Sequence, residues 1–418
     1  MSRYQPYPEY KDSGVEWIGE APAHWEVTRS DSHFGAMLSV VTVPQMSDQQ
    51  LYLYSIPSVQ DKGNGSYENG SEVQSSKLRV DQPLILVAKL NPRKGTVCKA
   101  SPKSGLLTVC SSEFVPLKPN SIGLSYLFYL VSSDAYRQRL ESLVESVTRS
   151  HQRASPSDVA KFAWVFPPQK ETEVIATFLD RETTRLDTLI EKKQRFIELL
   201  EEKRQAVITQ AVTKGLDPDV PMKDSGVEWI GEVPAHWEVV KCFHAGVVIH
   251  TGKVDVNIQS PNGYYPFFTC GRETKYADQY SFDCEAILVA GNGEVGYTHY
   301  YQGKFEAYQR VYVLTSLAEF NPQFLVYYFK ANLMGALESK AVGSVIQFIT
   351  LGDLRHFPIA HPDVHAQSKI ATFLDRETTR IDTLVAKTRE SIDLLKERRS
   401  ALITAAVTGK IDVRGEAA

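Results

Sequence analysis

The chain has 418 residues, with 46 Lys plus Arg against 50 Asp plus Glu and 43% apolar positions, enough for two or three globular domains and unlike a disordered tail. Its longest apolar runs, such as LILVA at 84–88, fall far short of the roughly 20 residues a membrane helix needs, so no spanning segment is expected. A net charge of −4 argues against nucleic acid as a bulk partner, but whole-chain charge hides its distribution.

The opening MSRYQPYPEY lacks both the basic start and the apolar stretch of a secretory signal, and a cytoplasmic location is expected. Five cysteines, Cys98, Cys110, Cys242, Cys270 and Cys284, form no C-x-x-C pair and read as reduced, buried thiols.

Internal repetition organises the rest. KDSGVEWIGEAPAHWEV at 11–27 recurs as KDSGVEWIGEVPAHWEV at 223–239, with only Ala21 and Val233 differing. ATFLDRETTRLDTL at 176–189 returns as ATFLDRETTRIDTL at 371–384, and RQAVITQAVTKGLD at 204–217 as RSALITAAVTGKID at 399–412. The stretches between, 28–168 and 240–363, are almost unrelated. Constant frames around divergent centres suggest a scaffold holding two readers of different things.

In the first variable stretch, PLILVAKLNPRKGTVCKA (83–100) reads as strand, turn, strand, and TVCSSEFVPLKP (108–119) as one further strand. LSYLFYLVSSDAYRQRLESL then reads as one helix. Residues 77–168 hold 13 Lys plus Arg against 6 Asp plus Glu, a local +7, while residues 1–76 hold 4 against 10. A basic surface of this kind suits phosphate. Lys89, Asn91, Arg93, Lys94, Lys99, Arg149, Gln152 and Arg153 are its candidate DNA contacts, expected in loops or just before the final strand.

From about 171 to 212 apolar residues recur in steps of three, four or seven at Ile175, Leu179, Leu186, Leu189, Phe196, Leu200 and Val207. No Gly or Pro interrupts them, which predicts a helix of roughly 42 residues, about 60 Å long. Gly215 reads as its stop. The second copy repeats the seam at Ile370, Leu374, Ile381, Leu384, Leu395 and Leu402 and stops at Gly409. Such a helix needs a partner, and the other copy, antiparallel, is the nearest. Nine basic and nine acidic residues over 170–214 suit solvated flanks. Arg181, Glu182, Thr184 and Arg185 match Arg376, Glu377, Thr379 and Arg380. Read as exposed, they point to subunit docking, because packing does not demand that identity and two copies of one partner do.

The second variable stretch runs in parallel, through AILVAGNGEVGYTHYY, AYQRVYVLTS and the helical FLVYYFKANLMGALES, so the two centres are expected to share a fold. Its span 239–361 is balanced, 9 basic against 10 acidic, and contacts there must come from geometry. Arg272, Lys275, Asn292, Gln309, Arg310 and Gln347 are the side chains able to pair with guanine or adenine edges.

Catalytic signals are decoys. GNGEVG at 291–296 follows a strand but leads into strand-like sequence, so a glycine hairpin is expected and not a dinucleotide loop. NPQF at 321–324 reads as a cap and turn. No phosphate-binding loop, H-E-x-x-H or G-x-S-x-G is present, and His24 and His151 read as surface or core histidines.

The repeated SGVEWIGE-x-P-x-HWEV, with ATFLDRETTR-[LI]-DTL and AVT-x-x-[LI]-D after each centre, resembles the specificity subunits of bacterial type I restriction-modification enzymes. The resemblance implies an α+β chain with a pseudo-twofold internal repeat. Target-recognition domains at 1–168 and 216–363 would each read one half of a split double-stranded DNA site. Long antiparallel helices at 169–215 and 364–410, a coiled coil followed by a tail at 411–418, would set the gap. It further implies a chain that is not an enzyme and has no metal or cofactor of its own. Two methyltransferase subunits would dock, restriction subunits with motor and nuclease would join, and S-adenosylmethionine, ATP and Mg would belong to those partners. Two other readings stay open: a methyltransferase with its own reader, separated by S-adenosylmethionine binding, and a coiled-coil adaptor without DNA affinity, separated by a mobility-shift assay.

Overall fold

The computed structural model describes residues 4–144, 152–317, 319–338 and 348–416. The chain is α+β and divides into two compact units, Met1–Lys193 with Glu390–Ala418, and Gln194–Arg389. Five of its described helices have nine residues or more: α1 Leu124–Ser132, α2 Asp134–Ser142, α3 Gln169–Lys214, α4 Pro322–Glu338 and α5 Val364–Val407.

The two long helices run antiparallel within each unit. In the first, Arg399 donates to Asp187 at 2.9 Å; in the second, Arg204 donates to Asp382 at 3.1 Å and Arg389 to Glu201 at 3.3 Å. Gly215 and Gly409, at φ +77° and +71°, follow their ends in the left-handed region that favours glycine. The apolar seam differs in part from the heptad expectation. Ile175, Phe178, Leu179, Leu186, Ile197 and Leu200 are buried, but Leu189, Phe196 and Leu384 are 39%, 45% and 39% exposed. A straight helix drifts about 20° per heptad, so a strict seven-residue stripe leaves the interface, and Thr183, Thr378 and Thr388 are buried instead.

Both units are built on the same four strands. In the first these are β1 Phe34–Ala36, β2 Leu84–Ala88, β3 Val97–Ala100 and β4 Phe114–Pro119, in the order β3-β2-β4-β1. In the second they are β5 Val248–Thr251, β6 Phe282–Ala290, β7 Thr298–Ala307 and β8 Val311–Thr315, in the equivalent order β7-β6-β8-β5, and every one of these pairings is antiparallel. The attachments differ. The second sheet continues through Tyr265–Phe268 and Lys275–Ala277 to six strands, whereas the first unit adds a separate five-stranded sheet from 40–41, 77–79, 107–111, 50–54 and 66–69. The shared fold is thus confined to the core.

Two local expectations are corrected. Residues 108–119 are two strands, because the chain changes sheet at Ser112–Glu113 between Leu107–Ser111 and β4. The single helix expected over 124–143 is α1 and α2, broken at Ser133. That residue is extended (φ −71°, ψ 149°), and its Oγ accepts from the Tyr136 amide at 3.3 Å, a serine N-cap.

The repeated frame closes each unit. KDSGVEWIGE folds as a two-stranded ribbon in both copies. The buried Trp25 and Trp237 follow, and the next strands, 26–29 and 238–241, pair with 163–166 and 358–361, the last strands before α3 and α5. In the first unit the frame is also joined to its helix by a buried carboxylate. Glu171 accepts from Tyr7 Oη at 2.6 Å and Trp25 Nε1 at 3.0 Å, and lies 2.9 Å from His24 Nε2.

Candidate nucleic-acid interface

The hairpin β2–β3 turns through a short 3-10 segment, Pro92–Lys94, flanked by Asn91 and Gly95 at φ +49° and +58°. Two left-handed residues around one turn expose Arg93 and Lys94 at its tip. The segment before Ser155 is stitched to this loop: the Asn91 amide donates to the Gln152 carbonyl at 2.7 Å and the Ala154 amide to the Lys89 carbonyl at 2.9 Å. Arg153 makes a two-pronged bond to Glu113, 3.1 Å at each nitrogen.

Lys89, Asn91, Arg93, Lys94, Gln152 and Arg153, separated by some sixty residues in sequence, therefore share one loop cluster. Arg137 on α2 reaches the same turn, its Cδ lying 3.3 Å from where a Cβ on Gly95 would stand. Sequence reasoning missed Arg137, because nothing in a helical Arg at i+3 from Asp134 signals that its helix packs on a hairpin tip. Lys99 belongs elsewhere. It lies within β3, and its Nζ sits 3.0 Å from Ser125 Oγ, 3.4 Å from Asp180 and over the rings of Phe128 and Tyr129, because alternation along the strand turns it toward α1 and α3. Arg149 lies outside the described residues, as does His151.

In the second unit the equivalent hairpin β6–β7 carries the loop 291–297. GNGEVG is the expected glycine hairpin, with Gly293 and Gly296 at φ +63° and +79°. The loop is pinned on three sides: the Gly291 amide donates to the Arg310 carbonyl at 2.8 Å, the Glu294 amide to the Cys270 carbonyl at 3.0 Å, and the Ile349 amide to the Gly291 carbonyl at 2.7 Å. No side chain fits at Gly291, where a Cβ would stand 2.6 Å from the Arg310 carbonyl oxygen.

These contacts gather Asn292, Arg310 and its exposed neighbour Gln309 with Arg272, which is ion-paired to Glu294. Lys275 stands apart on the edge strand, and Gln347 lies outside the described residues. The two units thus present one loop position with different chemistry: cationic tips in the first, a rigid glycine loop ringed by arginine and amide side chains in the second.

On the long helices Arg181, Thr184, Arg185, Arg376, Thr379 and Arg380 are exposed. Glu182 corrects the expectation of exposure. It is 7% exposed, held between Arg181 and Arg185 at 3.5 and 3.6 Å, and Glu377 is half-buried beside Arg376 at 3.1 Å.

Among the described residues no group of three His, Cys, Asp or Glu could hold a metal ion, and no helix is long and apolar enough to cross a membrane. Burial pushes the thiols of Cys98, Cys110 and Cys242 up to about 12, far from the thiolate a nucleophile needs. NPQF is a helix cap, with Asn321 Oδ1 accepting the Phe324 amide at 3.0 Å.

Residues 234–393 match the family model described as type I restriction modification DNA specificity domain. The type I restriction enzyme EcoDI specificity subunit of Escherichia coli is 33% identical over 181 residues, 43% of this chain and 40% of that protein. The aligned part is thus less than half of that relative's length. Two solved structures share the fold. One comes from a study of complex assembly and conformational transition of the type I R-M system, with TM-score 0.74, 16% identity, and coverage of 94% of this chain and 99% of that one. The other is the HsdS subunit from Thermoanaerobacter tengcongensis, with TM-score 0.53, 16% identity, and coverage of 94% and 98%.

Proposed function

We propose that this chain is a specificity subunit of a type I restriction-modification complex, the component that reads a bipartite double-stranded DNA site, one half per recognition domain; the family-model match over residues 234–393 and the 33% identity to the EcoDI specificity subunit support this reading. In this reading the chain's contribution is recognition, and the chemistry belongs to its partners. The recognition domains are 1–168 and 216–363, the spacer helices 169–215 and 364–410, and 411–418 is a tail.

One observation carries the reading: the same four-stranded core occurs twice, and each copy offers a different side-chain set at the same hairpin loop. Phosphate contacts position a protein on DNA and base contacts specify sequence. Lys89, Arg93, Lys94, Gln152 and Arg153 suit the first task with some of the second, whereas Arg272, Asn292, Gln309 and Arg310 suit paired hydrogen bonds to base edges. Two methyltransferase subunits dock around the helices through Arg181, Thr184 and Arg185 and through Arg376, Thr379 and Arg380. Restriction subunits join them, and S-adenosylmethionine, ATP and Mg sit on those partners. The site of action is the cytoplasm.

The test is methylome sequencing of a host expressing this chain with its methyltransferase subunit, followed by mobility shifts on the motif found. A split motif bound only when both halves are intact is the expected result. Binding of S-adenosylmethionine by the isolated chain, or no DNA affinity with the partner present, overturns the reading.

A further inference from the structure

The tips of the two repeated ribbons are the same object built twice. In the first, the Gly14 amide donates to Asp12 Oδ1 at 2.9 Å, the Val15 amide to Ser13 Oγ at 3.1 Å, and the Ile18 and Gly19 amides to the Val15 carbonyl, each at 2.9 Å. The second repeats this bond for bond, Gly226 to Asp224 at 2.9 Å, Val227 to Ser225 at 3.1 Å, and Ile230 and Gly231 to Val227, each at 3.0 Å. Gly14 and Gly19, and Gly226 and Gly231, all lie between φ +67° and +70°.

Each tip carries a Glu–Trp pair, Glu16–Trp17 and Glu228–Trp229, with both glutamates exposed and Trp229 the more buried of the two indoles. Among the described residues neither glutamate side chain has a hydrogen-bond or ion-pair partner, and Trp17 is 41% exposed. The indoles rest on different supports, Trp17 beside the Arg139 guanidinium at 5.7 Å and Trp229 stacked on Phe357 at 5.6 Å. Internal packing therefore does not explain why both copies keep the same pair. Descent from one duplication does not either, since the sequence between the frames has diverged almost completely. DNA is a poor occupant, because Asp12, Glu16 and Glu20 outweigh Lys11 on the first ribbon and would repel phosphate.

We propose that the Glu16–Trp17 and Glu228–Trp229 tips are twin docking points for one protein bound in two copies, each copy offering an apolar slot for the indole and a Lys or Arg for the carboxylate. A half-exposed Trp beside a charge is the residue type that anchors protein interfaces. Resting on the functional reading above, the proposal makes that partner the methyltransferase subunit and adds a contact separate from the spacer helices.

The experiment is native mass spectrometry of the full chain with its cognate methyltransferase subunit, comparing wild type with Glu16→Lys, Glu228→Lys and the double variant. Glutamates without internal partners can be reversed without disturbing the fold, and Trp17→Ala with Trp229→Ala provides the second pair. The expected result is two subunits on wild type, one on each single charge reversal, and at least tenfold weaker binding at both positions in the double variant. Two subunits held with unchanged affinity by both double variants overturn this proposal alone. A wild-type chain that holds no methyltransferase subunit overturns the functional reading and the proposal with it.

Discussion

Tyr129 of α1 donates its hydroxyl proton to Asp180 of α3 at 2.7 Å, with Thr183 Oγ1 2.9 Å from the same oxygen. The second unit repeats the latch: Tyr327 of α4 donates to Asp375 of α5 at 2.8 Å, with Thr378 at 3.1 Å. Each reader is thereby fastened to its own long helix by an identical polar joint inside the DRETT segment. Tyr129→Phe and Tyr327→Phe should each cost about 1 kcal/mol, since Asp180 is half open to water and recovers solvation, while Thr183 and Thr378 keep their bonds to the Leu179 and Leu374 carbonyls at 2.6 and 2.7 Å. Urea unfolding of the full chain checks this, and a loss under about 0.5 kcal/mol at both positions would show that the joint contributes nothing.

In the proposed function Arg93 and Lys94, exposed at the first hairpin tip, contact phosphate, and Lys99, which lies beside Asp180 and two aromatic rings, does not. The double change Arg93→Ala, Lys94→Ala should weaken DNA binding and reduce the slope of log affinity against log salt by about 2, close to 0.9 per lost phosphate contact. Lys99→Ala should leave the slope alone and lower thermal stability. Fluorescence titrations from low to high salt separate them, and an unchanged slope in the double variant removes these two residues from the interface.

Arg310 borders a loop that three backbone hydrogen bonds pin, and its own carbonyl accepts one of them, so the backbone that carries its exposed side chain is fixed beside that loop. Arg310→Ala should reduce discrimination at one position of the second half-site by about 1–3 kcal/mol, the range of a paired base contact. The first half-site should be read as before. Competition binding against single-base variants of the motif reports it, and uniform weakening across all variants would mark Arg310 as a phosphate contact instead.

The repeat, the two long helices and their glycine stops were legible because periodicity and identity are properties of sequence itself. What was not legible depended on contacts between distant residues. Asn91 meets Gln152, and Arg137 meets the Gly95 turn, only because α2 and the segment before Ser155 pack on the hairpin. Glu182 looked exposed from its charge, yet two arginines beside it make burial tolerable. Lys99 looked like a loop cation because its charge counted toward the basic excess, while its place within a strand turns it toward α1 and α3 and away from the hairpin tip. Ser133 was legible in principle, as a serine before Asp within a helical run, but the apolar pattern on either side concealed the break.

Glu171 ties the first frame to its helix, and it has no counterpart in the second copy, where Ala366 stands at the same repeat position. Glu171→Ala should destabilise the first unit by roughly 2–4 kcal/mol, because Tyr7 and Trp25 are left as buried donors without an acceptor. In the second copy Trp237 and His236 repeat Trp25 and His24 but Asp219 stands where Tyr7 does, so Ala366→Glu would meet only part of the donor set and should stabilise the second unit by less than Glu171 stabilises the first. Unfolding followed through Trp25 fluorescence tests the first statement, and a loss under about 1 kcal/mol would show that water or a neighbour replaces the carboxylate.

His299 on β7 is an acid-sensitive point of the second unit. Both of its ring nitrogens are buried without a partner among the described residues, and the ring lies against Phe268 and Tyr297 at 4.7 and 5.5 Å. Burial, with a smaller push from the Lys330 charge, lowers its pKa from 6.5 to about 4. The imidazole is therefore neutral in the fold. Above about pH 6.5 it is neutral in the unfolded chain too, and contributes no pH dependence. As pH falls from 6.5 toward 4 the unfolded chain takes up a proton that the folded chain refuses, so stability declines across that window and levels off below it. By pH 5 the loss from this group should reach about 2 kcal/mol, at about 1.4 kcal/mol per pH unit. His299→Leu removes the titration and keeps an apolar side chain among the aromatic rings. Wild type should lose about 2 kcal/mol more than the variant between pH 7 and pH 5 in urea unfolding. Parallel losses in the two proteins would mean that the ring finds a hydrogen-bond partner or water and carries no such penalty.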